Sequence, residues 1–365
     1  FYVPQMAAFG GMERHVCALA RLLASRDHEV KLITTSNSLS QELRTTMTEK
    51  GVRLRELARS RGTAGKLLKG LWLLREAMRS DSTRWDLIYT NGQSALARVA
   101  WFAARPHTRI VHHHHTAADE REQATWSSGF RRVLKRAPEI VACSHATQQA
   151  LQQALQRADV NYYPYLTNAP LPAASVVDRI PAPGQKVRLG FMGRLVAEKG
   201  IARICELSQH PLLSDVEWHI HGEGAAFPPS YFAPYPNVVY HGAYSSGPQQ
   251  AEILQRLDGL VLFSQHNEGM PLSLLEAMAA GLPWIATDRG GTREMAVSPE
   301  NCLVVDAAPS IEALATAVRE MTTRIRAGVT SRRAQRRTYD RLFSPPVVSH
   351  AWCSYLESRQ PFLSR

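Results

Sequence analysis

The chain has 365 residues, 44% of them hydrophobic and 21% charged; that is more than one hydrophobic core usually serves, so two globular domains are expected. No run approaches the roughly 18 apolar residues that a membrane-spanning helix needs, and no basic-then-apolar signal peptide opens the sequence. The net charge of +11 is uneven: residues 1–168 carry 24 Lys+Arg against 14 Asp+Glu, a net of +10, whereas residues 169–365 carry 19 against 18, a net of +1, so a polyanion, an anionic membrane or a phosphorylated small molecule would be drawn to the N-terminal half.

The chain begins FYVPQ without Met, and a short piece, half of a first strand, is expected to precede it. The segment QMAAFGGMERHV (5–16) places Gly10 and Gly11 in a turn before the helical pattern GGMERHVCALARLLASR, a shape that can cradle a phosphate. HEVKLITTS (28–36) reads as a strand. RGTAGKLLKGLWLLREAMR (61–79) mixes Leu67, Leu68, Leu71, Trp72, Leu73 and Leu74 with Lys66, Lys69 and Arg75. Part of that apolar surface must pack on a sheet; the rest, with the basic residues 130–136, is suited to an anionic bilayer. WDLIYTNG (85–92), TRIVHHHH (108–115) and EIVACS (139–144) read as further strands. Alternation of this kind implies a parallel sheet covered on both faces.

The four histidines of TRIVHHHH lie within the chain, flanked by Ile110, Val111 and Thr116, and are not a purification tag. Side chains alternate along a strand, so His113 and His115 share one face and His112 and His114 the other. An H-x-H pair, His113 with His115, plus Asp119 or Glu122 would be a zinc site; the competing expectation is that at least two of the four, His112 and His113, are packed or solvated without a role.

A proline-rich stretch, APLPAASVVDRIPAPGQK (169–186), reads as a linker. The alternation then restarts with VRLGFMG (187–193), VEWHIHG (216–222), NVVYHG (237–242), LDGLVLFS (257–264), LPWIATD (282–288) and NCLVVD (301–306). The expected fold class is therefore α/β, with two Rossmann-like doubly wound domains, 1–168 and 187–340, facing across a cleft. Basic TSRRAQRRTYDR (330–341) is expected to be a solvated face. The five cysteines, Cys17, Cys143, Cys205, Cys302 and Cys353, are scattered and form no C-x-x-C, which argues for a reducing cytosol.

The chemistry is concentrated in two segments of the second half. In FSQHNEGMPLSLLEAMAAGLPWIATDRGGTRE (263–294) a strand ends near Ser264, a loop carries Glu268 and Gly269, Pro271 falls in a first helical turn, and a helix runs to Gly281 and Pro283. Glu276 is expected two turns inside that helix. The amides of Gly269, Met270 and Leu272 at its N-terminus would bind an anion or hydroxyls. In LGFMGRLVAEKG (189–200), Gly193 and Gly200 allow close backbone approach, and Arg194 and Lys199 could hold a diphosphate.

These segments resemble the family 4 retaining glycosyltransferases of GT-B architecture, of the bacterial polysaccharide and lipopolysaccharide type. EGMPLSLLEAMAAGLP matches that family's E-x7-E motif at Glu268 and Glu276, and GRLVAEKG its diphosphate motif. Gly10-Gly11, WDLIYTNG, VACSHAT, LTNAP and HGEG are weaker echoes. The resemblance implies that Arg194 and Lys199 hold the donor diphosphate and stabilise the leaving group, that Glu276 binds the ribose, and that Glu268 with the amides of Gly269, Met270 and Leu272 holds the sugar. It also implies that His115, with His114 as the fallback, faces the donor, that residues 341–365 form a helix crossing back to the first domain, and that domain closure brings His115 and Gly10-Gly11 over the donor. The expected reaction is retaining transfer from a UDP- or GDP-sugar to a glycan or lipid-linked acceptor, without a cofactor or divalent metal, in the cytoplasm or peripherally on the inner membrane face. The competing expectations are a GT-B sugar-nucleotide epimerase and, in another class, a basic nucleic-acid-binding protein, although no nucleic-acid module is recognisable.

Overall fold

Apolar runs rich in Val, Ile and Leu, separated by helical patterns, form two all-parallel sheets. The structure is a computed structural model describing residues 1–4, 6, 11–34, 39, 41–57, 62–78, 85–167 and 171–358. It divides into two compact units, Phe1–Thr167 with Pro345–Arg365, and Asn168–Ser344.

The first unit carries β1 (Tyr2–Val3), β2 (Lys31–Thr34), β3 (Arg53–Glu56), β4 (Leu87–Asn91), β5 (Arg109–His114), β6 (Glu139–Ala142) and β7 (Val160–Tyr162). Their order in the sheet is β3-β2-β1-β4-β5-β6-β7. The second carries β8 (Val187–Met192), β9 (Val216–His221), β10 (Val238–Gly242), β11 (Gly259–Leu262), β12 (Trp284–Thr287) and β13 (Cys302–Val305), in the order β10-β9-β8-β11-β12-β13. Parallel neighbours need long crossovers, and the helices supplying them cover the sheet faces, which is why β6, β11 and β12 are buried at every position. In each sheet the strand order reverses beside the first strand, between β1 and β4 and between β8 and β11. At such a reversal adjacent crossovers leave in opposite directions and open a crevice at the carboxyl ends of the strands.

Two strands, β3 and β7, go beyond the sequence reading. Arg-Leu-Arg-Glu in β3 is a charged edge strand that alternates exposed and half-buried positions, and β7 has only three residues, so neither gives a long apolar run. The basic segment 330–341, expected as a solvated face, is a correction. Its helix Arg332–Leu342 buries Gln335, Arg336 and Tyr339. Arg336 donates to the carbonyl oxygens of Leu171 and Ala279 at 2.7 and 2.8 Å, because a guanidinium can satisfy the orphan carbonyls at a helix end. The proline-rich stretch is packed in part, with Leu171 and Val176 buried.

In the first unit the helix Gly11–Ala24 buries His15, Val16, Leu19, Ala20 and Leu23, and shares a core with Val3, Leu32, Tyr89, Val111 and Trp352. Trp352 comes from the last helix, Pro345–Glu357, and its indole N–H donates to the Pro164 carbonyl at 2.8 Å. Arg109 ties that helix down. Its guanidinium forks onto Glu139 at 2.9 and 2.7 Å and donates to the carbonyls of Tyr355 and Leu356 at 2.8 and 3.1 Å.

The histidine run follows the strand's alternation. His112 and His114 face Phe130, while His113 and His115 lie 3.9 Å apart, ring to ring, beside His15. Burial pushes His15 and His112 down to about 3, and burial followed by neighbouring imidazoles holds His113 and His115 well below the ordinary histidine value. His15, His112, His113 and His115 are therefore neutral at pH 7. Because their folded values lie below the unfolded one, the unfolded chain takes up these protons first, so stability is complete above about pH 6.5 and is lost as pH falls toward 3. His15 and His112 should each remove about 1.4 kcal/mol per pH unit across that window. The melting midpoint should accordingly fall steeply between pH 6.5 and 4.5 and less steeply in His112→Asn; a flat profile in that range would contradict the buried, neutral assignment.

Candidate functional site

The second unit's switch point is built from the loops after β8 and β11. The chain leaves β8 through Gly193 and Arg194 and makes a single 3-10 turn, Ala197–Lys199. It then starts the helix Ile201–Leu207 from Gly200, whose φ is 78°. A Cβ on Gly200 would sit 2.2 Å from the Phe263 carbonyl oxygen, so only glycine lets the β8 loop lie against the end of β11. That contact carries Lys199 to Glu268. The Lys199 ammonium donates to both Glu268 carboxylate oxygens at 2.6 and 2.8 Å, and the Ser264 hydroxyl adds a third bond at 2.5 Å.

Glu268 is only 7% exposed. Burial alone would raise its pKa, but the Lys199 charge, the neighbouring His266 and the hydrogen bonds from Lys199 and Ser264 hold the carboxyl below its ordinary value, so it is a buried carboxylate. Its loop is strapped on both sides. Gln265 N–H donates to the Glu198 carbonyl at 2.7 Å, and Gly291 N–H donates to the Glu268 carbonyl at 3.0 Å. Gly290, at φ 58°, bridges Glu268, and a Cβ there would be 2.1 Å from the Glu268 carbonyl oxygen.

The helix after this loop is Leu272–Ala279, with Pro271 as its N-cap. This corrects two positions read from sequence. Pro271 precedes the first turn, and Glu276 is the fifth helical residue, one turn in, because the loop stays extended through Pro271, where φ is −73° and ψ is 107°. Glu276 is buried, at 4% exposure. The amides of Gly269 and Met270 have no backbone acceptor among the described residues, and the first helical amides, starting with Leu272, have none within the helix. Arg194 is exposed, and its guanidinium makes no hydrogen bond or ion pair with a described residue, although its carbonyl accepts the Val196 N–H at 3.1 Å. Gly193 has open space beside it except for the Phe191 ring at 3.6 Å. The structure therefore brings Gly193, Arg194, Lys199, Glu268, Gly269, Met270, Leu272 and Glu276 to one switch point. It also adds Ser264 and Gly290, whose roles sequence reading missed. The serine's spacing of four before Glu268 was legible, but its pairing was not.

In the first unit, His115 follows β5. Its Nε2 is 3.3 Å from Asn91 Nδ2, its Nδ1 is 3.2 Å from the Tyr165 hydroxyl, and that hydroxyl donates to the His115 carbonyl at 2.9 Å. His114 is buried against Glu122 at 2.9 Å. Glu122 also accepts from Thr116 and the Ala118 amide, each at 2.8 Å, and its carboxyl is pushed down to about 2: burial alone would raise it, and the bonds from His114, Thr116 and Ala118 outweigh that. Asp119 caps the helix Glu120–Thr125 by accepting from Glu122 N–H. Asp119 and Glu122 are thus committed to other partners, and among the described residues they do not assemble a metal site with His113 and His115. Gly11 opens the helix Gly11–Ala24; Gly10, and residues 168–170 of LTNAP, lie outside the described residues.

Residues 9–162 match the family model "Glycosyltransferase Family 4", and residues 186–324 match "Glycosyl transferases group 1". A curated relative, the GDP-mannose-dependent alpha-mannosyltransferase of Mycobacterium tuberculosis (strain CDC 1551 / Oshkosh), is 32% identical over 181 residues, 47% of this chain and 45% of the relative. The match thus spans about half the length of that protein. Among solved structures, Anabaena Alr3699/HepE in complex with UDP-glucose aligns with a TM-score of 0.76 at 18% identity over 98% of both chains. The lipopolysaccharide outer core galactosyltransferase WaaB aligns at 0.75 and 18% over 99% of both, and WaaG, a glycosyltransferase involved in lipopolysaccharide biosynthesis, at 0.67 and 16% over 98% of both. With family models matching residues 9–162 and 186–324, one on each parallel sheet, the protein belongs to the family 4 glycosyltransferases, and the structural likeness over nearly the whole chain shows the two-domain α/β GT-B fold.

Proposed function

We propose that the chain is a glycosyltransferase that moves a sugar from a nucleoside-diphosphate donor, a UDP- or GDP-sugar, to a glycan or lipid-linked acceptor in cell-surface polysaccharide synthesis, with retention at the anomeric carbon and without a divalent metal. The observation that carries this reading is the switch point after β8 and β11, where the loop of an exposed Arg194, whose guanidinium has no described partner, also brings the half-buried Lys199 to the buried Glu268 carboxylate just ahead of a helix N-terminus. Such a place offers cations to a diphosphate, carboxylates to sugar hydroxyls and free amides to either.

In the proposed reaction the bond between the anomeric carbon and the diphosphate oxygen breaks as one to an acceptor hydroxyl oxygen forms on the same face of the sugar, the hydroxyl proton leaves on the diphosphate, and the charge that grows on that leaving group is met by Arg194 and Lys199. Glu268, with the amides of Gly269, Met270 and Leu272, holds the sugar, and Glu276 takes the ribose hydroxyls. Gly193 leaves the backbone open to the phosphates. In the first unit we assign substrate contact to His115, whose 3.3 Å bond to Asn91 is long enough to exchange for one to a ligand, and to Gly10 and Gly11.

The related enzymes supply the donor expectation. The mycobacterial relative is named for GDP-mannose, and the Anabaena structure holds UDP-glucose. The acceptor expectation has a surface to act on in the first unit. On the helix Gly62–Met78, Leu67, Leu68, Leu71 and Met78 are exposed at 56–71%, and the helix Ser128–Arg136 exposes Arg131, Arg132, Lys135 and Arg136. No helix among the described residues is long and apolar enough to cross a membrane. We assign these two faces to contact with an anionic bilayer.

Three measurements test the proposal. With EDTA present, UDP or GDP at about a hundredfold over its dissociation constant should add roughly 2.7 kcal/mol of stability and raise the melting midpoint by a few degrees, whereas ADP should not; no shift with any of them would count against a nucleotide site. Arg194→Ala should lower kcat by about a hundredfold or more at an unchanged midpoint; wild-type turnover would refute the role. Arg194 is the cleaner probe, because Lys199→Ala also strands a buried carboxylate. The same turnover assay separates transfer from epimerisation, since it should release nucleoside diphosphate with a glycoside rather than an epimerised donor. Third, co-sedimentation with vesicles should rise with anionic lipid content and fall in Leu67→Ser/Leu71→Ser; indifference to lipid charge would reject the membrane face.

A further inference from the structure

The edge of the second sheet carries a group of side chains that the donor site does not use. His219 and His221 are two residues apart on β9, so they project from the same face. The neighbouring edge strand β10 pairs with β9 in register through Val239↔His219 and Tyr240↔Ile220, and then jumps to Gly242↔His221, so that His241 is the residue the ladder skips. A bulge of this kind re-aims a side chain. Here it turns His241 onto the two histidines of β9. The His241 ring stacks on His221 at 4.1 Å between centroids and 5° between planes, and its Nε2 lies 2.9 Å from His219 Nδ1. One ring nitrogen from each of the three lies within 4.8 Å of the others.

We propose that His219, His221 and His241 bind a divalent transition-metal ion of the zinc class. The chemistry of the set fits. Imidazole nitrogens suit zinc, nickel and copper rather than magnesium or calcium, and no carboxylate among the three pulls the preference toward the hard cations. Glu217 supplies the partner expected behind a metal-bound histidine: its carboxylate lies 2.9 Å from His219 Nε2. It accepts the proton there, which leaves Nδ1, the nitrogen facing His241, as the lone-pair donor. His221 is buried, and its ring nitrogens have no hydrogen-bond partner among the described residues. His241 is exposed and gives the ion a path in. At metal–nitrogen distances of about 2.0–2.1 Å, tetrahedral ligands stand about 3.3 Å apart; the His219–His241 pair has only to open by about 0.4 Å, and His221 to turn its ring.

The site adjoins the donor switch point through the backbone. The His221 carbonyl accepts the Gly193 N–H at 3.0 Å, and Gly222 N–H donates to the Gly242 carbonyl at 2.7 Å. An ion joining β9 to β10 braces the strand end on which the Gly193–Arg194 turn rests. This role is structural and leaves the chemistry at the donor site metal-free.

The test is calorimetric titration of Zn²⁺ into the full chain after stripping with EDTA, at neutral pH, comparing wild type with His241→Ala, His219→Ala and Glu217→Gln. His241 is exposed on an edge strand, so its replacement should leave the fold and the EDTA-state melting midpoint unchanged, and circular dichroism checks this. Wild type should bind one more equivalent of zinc than His241→Ala and His219→Ala, and Glu217→Gln should retain that equivalent with about tenfold weaker affinity. Co²⁺ at the same site should give the visible absorption of a tetrahedral complex, absent from His241→Ala. Absence of zinc binding by wild type, or identical stoichiometry and affinity in wild type and His241→Ala, would overturn the proposal.

Discussion

A carboxylate buried to 7% exposure stays ionised beside the switch point of the second sheet because Lys199 meets both of its oxygens. An unpaired buried charge would neutralise by taking up a proton. The rest of the local architecture serves this pair. The β8 loop must lie against the end of β11 for the lysine to reach, which Gly200 permits; the Glu268 loop must be extended and strapped to Glu198 and Gly291, which Gly290 permits. The helix that follows then starts from that fixed loop, which brings its open amides and Glu276 to the same crevice. At the far end of this helix Arg336 takes the Ala279 carbonyl. The C-terminal end of the short helix is therefore satisfied by a group distant in sequence, while its N-terminal amides stay open, and a helix of eight residues depends on such tertiary support.

The first unit solves a different problem. Four consecutive histidines in a central strand would be ruinous if charged, since neighbouring imidazolium ions would repel one another in a low-dielectric core. Burial keeps His112, His113 and His115 neutral, and the strand's alternation then lets the rings pack in two pairs, one against Phe130, the other against Tyr165, Trp352 and His15. Some polar capacity is left over. His112 and His113 each keep a buried Nε2 without a partner, while His114 and His115 are tied to Glu122 and to Asn91 and Tyr165. The last helix is part of the same core. Trp352 covers His113, and Arg109 fastens the carbonyls around Tyr355, so the first sheet's packing depends on a segment, Pro345–Glu357, that lies far along the chain from β7, Val160–Tyr162.

Family membership, two parallel sheets and most strand positions were legible in the sequence because each rests on local pattern: unbroken apolar runs for buried parallel strands, and the spacing of Glu268, Glu276, Arg194 and Lys199 around glycines and proline. The two strands that were not legible, β3 and β7, are a charged edge strand and a three-residue strand. Neither needs a long apolar run, since a neighbouring strand supplies the ladder that defines it.

Tertiary structure alone decided how charges and rings are shared. Sequence treats Lys199 and Glu268 as two ligands for a substrate, whereas in the folded chain they are first of all partners for each other, through a contact 69 residues apart in sequence. The basic run 330–341 carries no sign of which arginine is buried, because that depends on which carbonyls a separate helix leaves open. The run His112–His115 fixes alternation of faces but not who meets each ring. His219, His221 and His241 lie on two segments correctly read as strands, yet nothing in either segment announces a bulge. Whether a side chain faces solvent, a neighbour's charge or two other imidazoles is set by strand register, and register is a property of the assembled sheet.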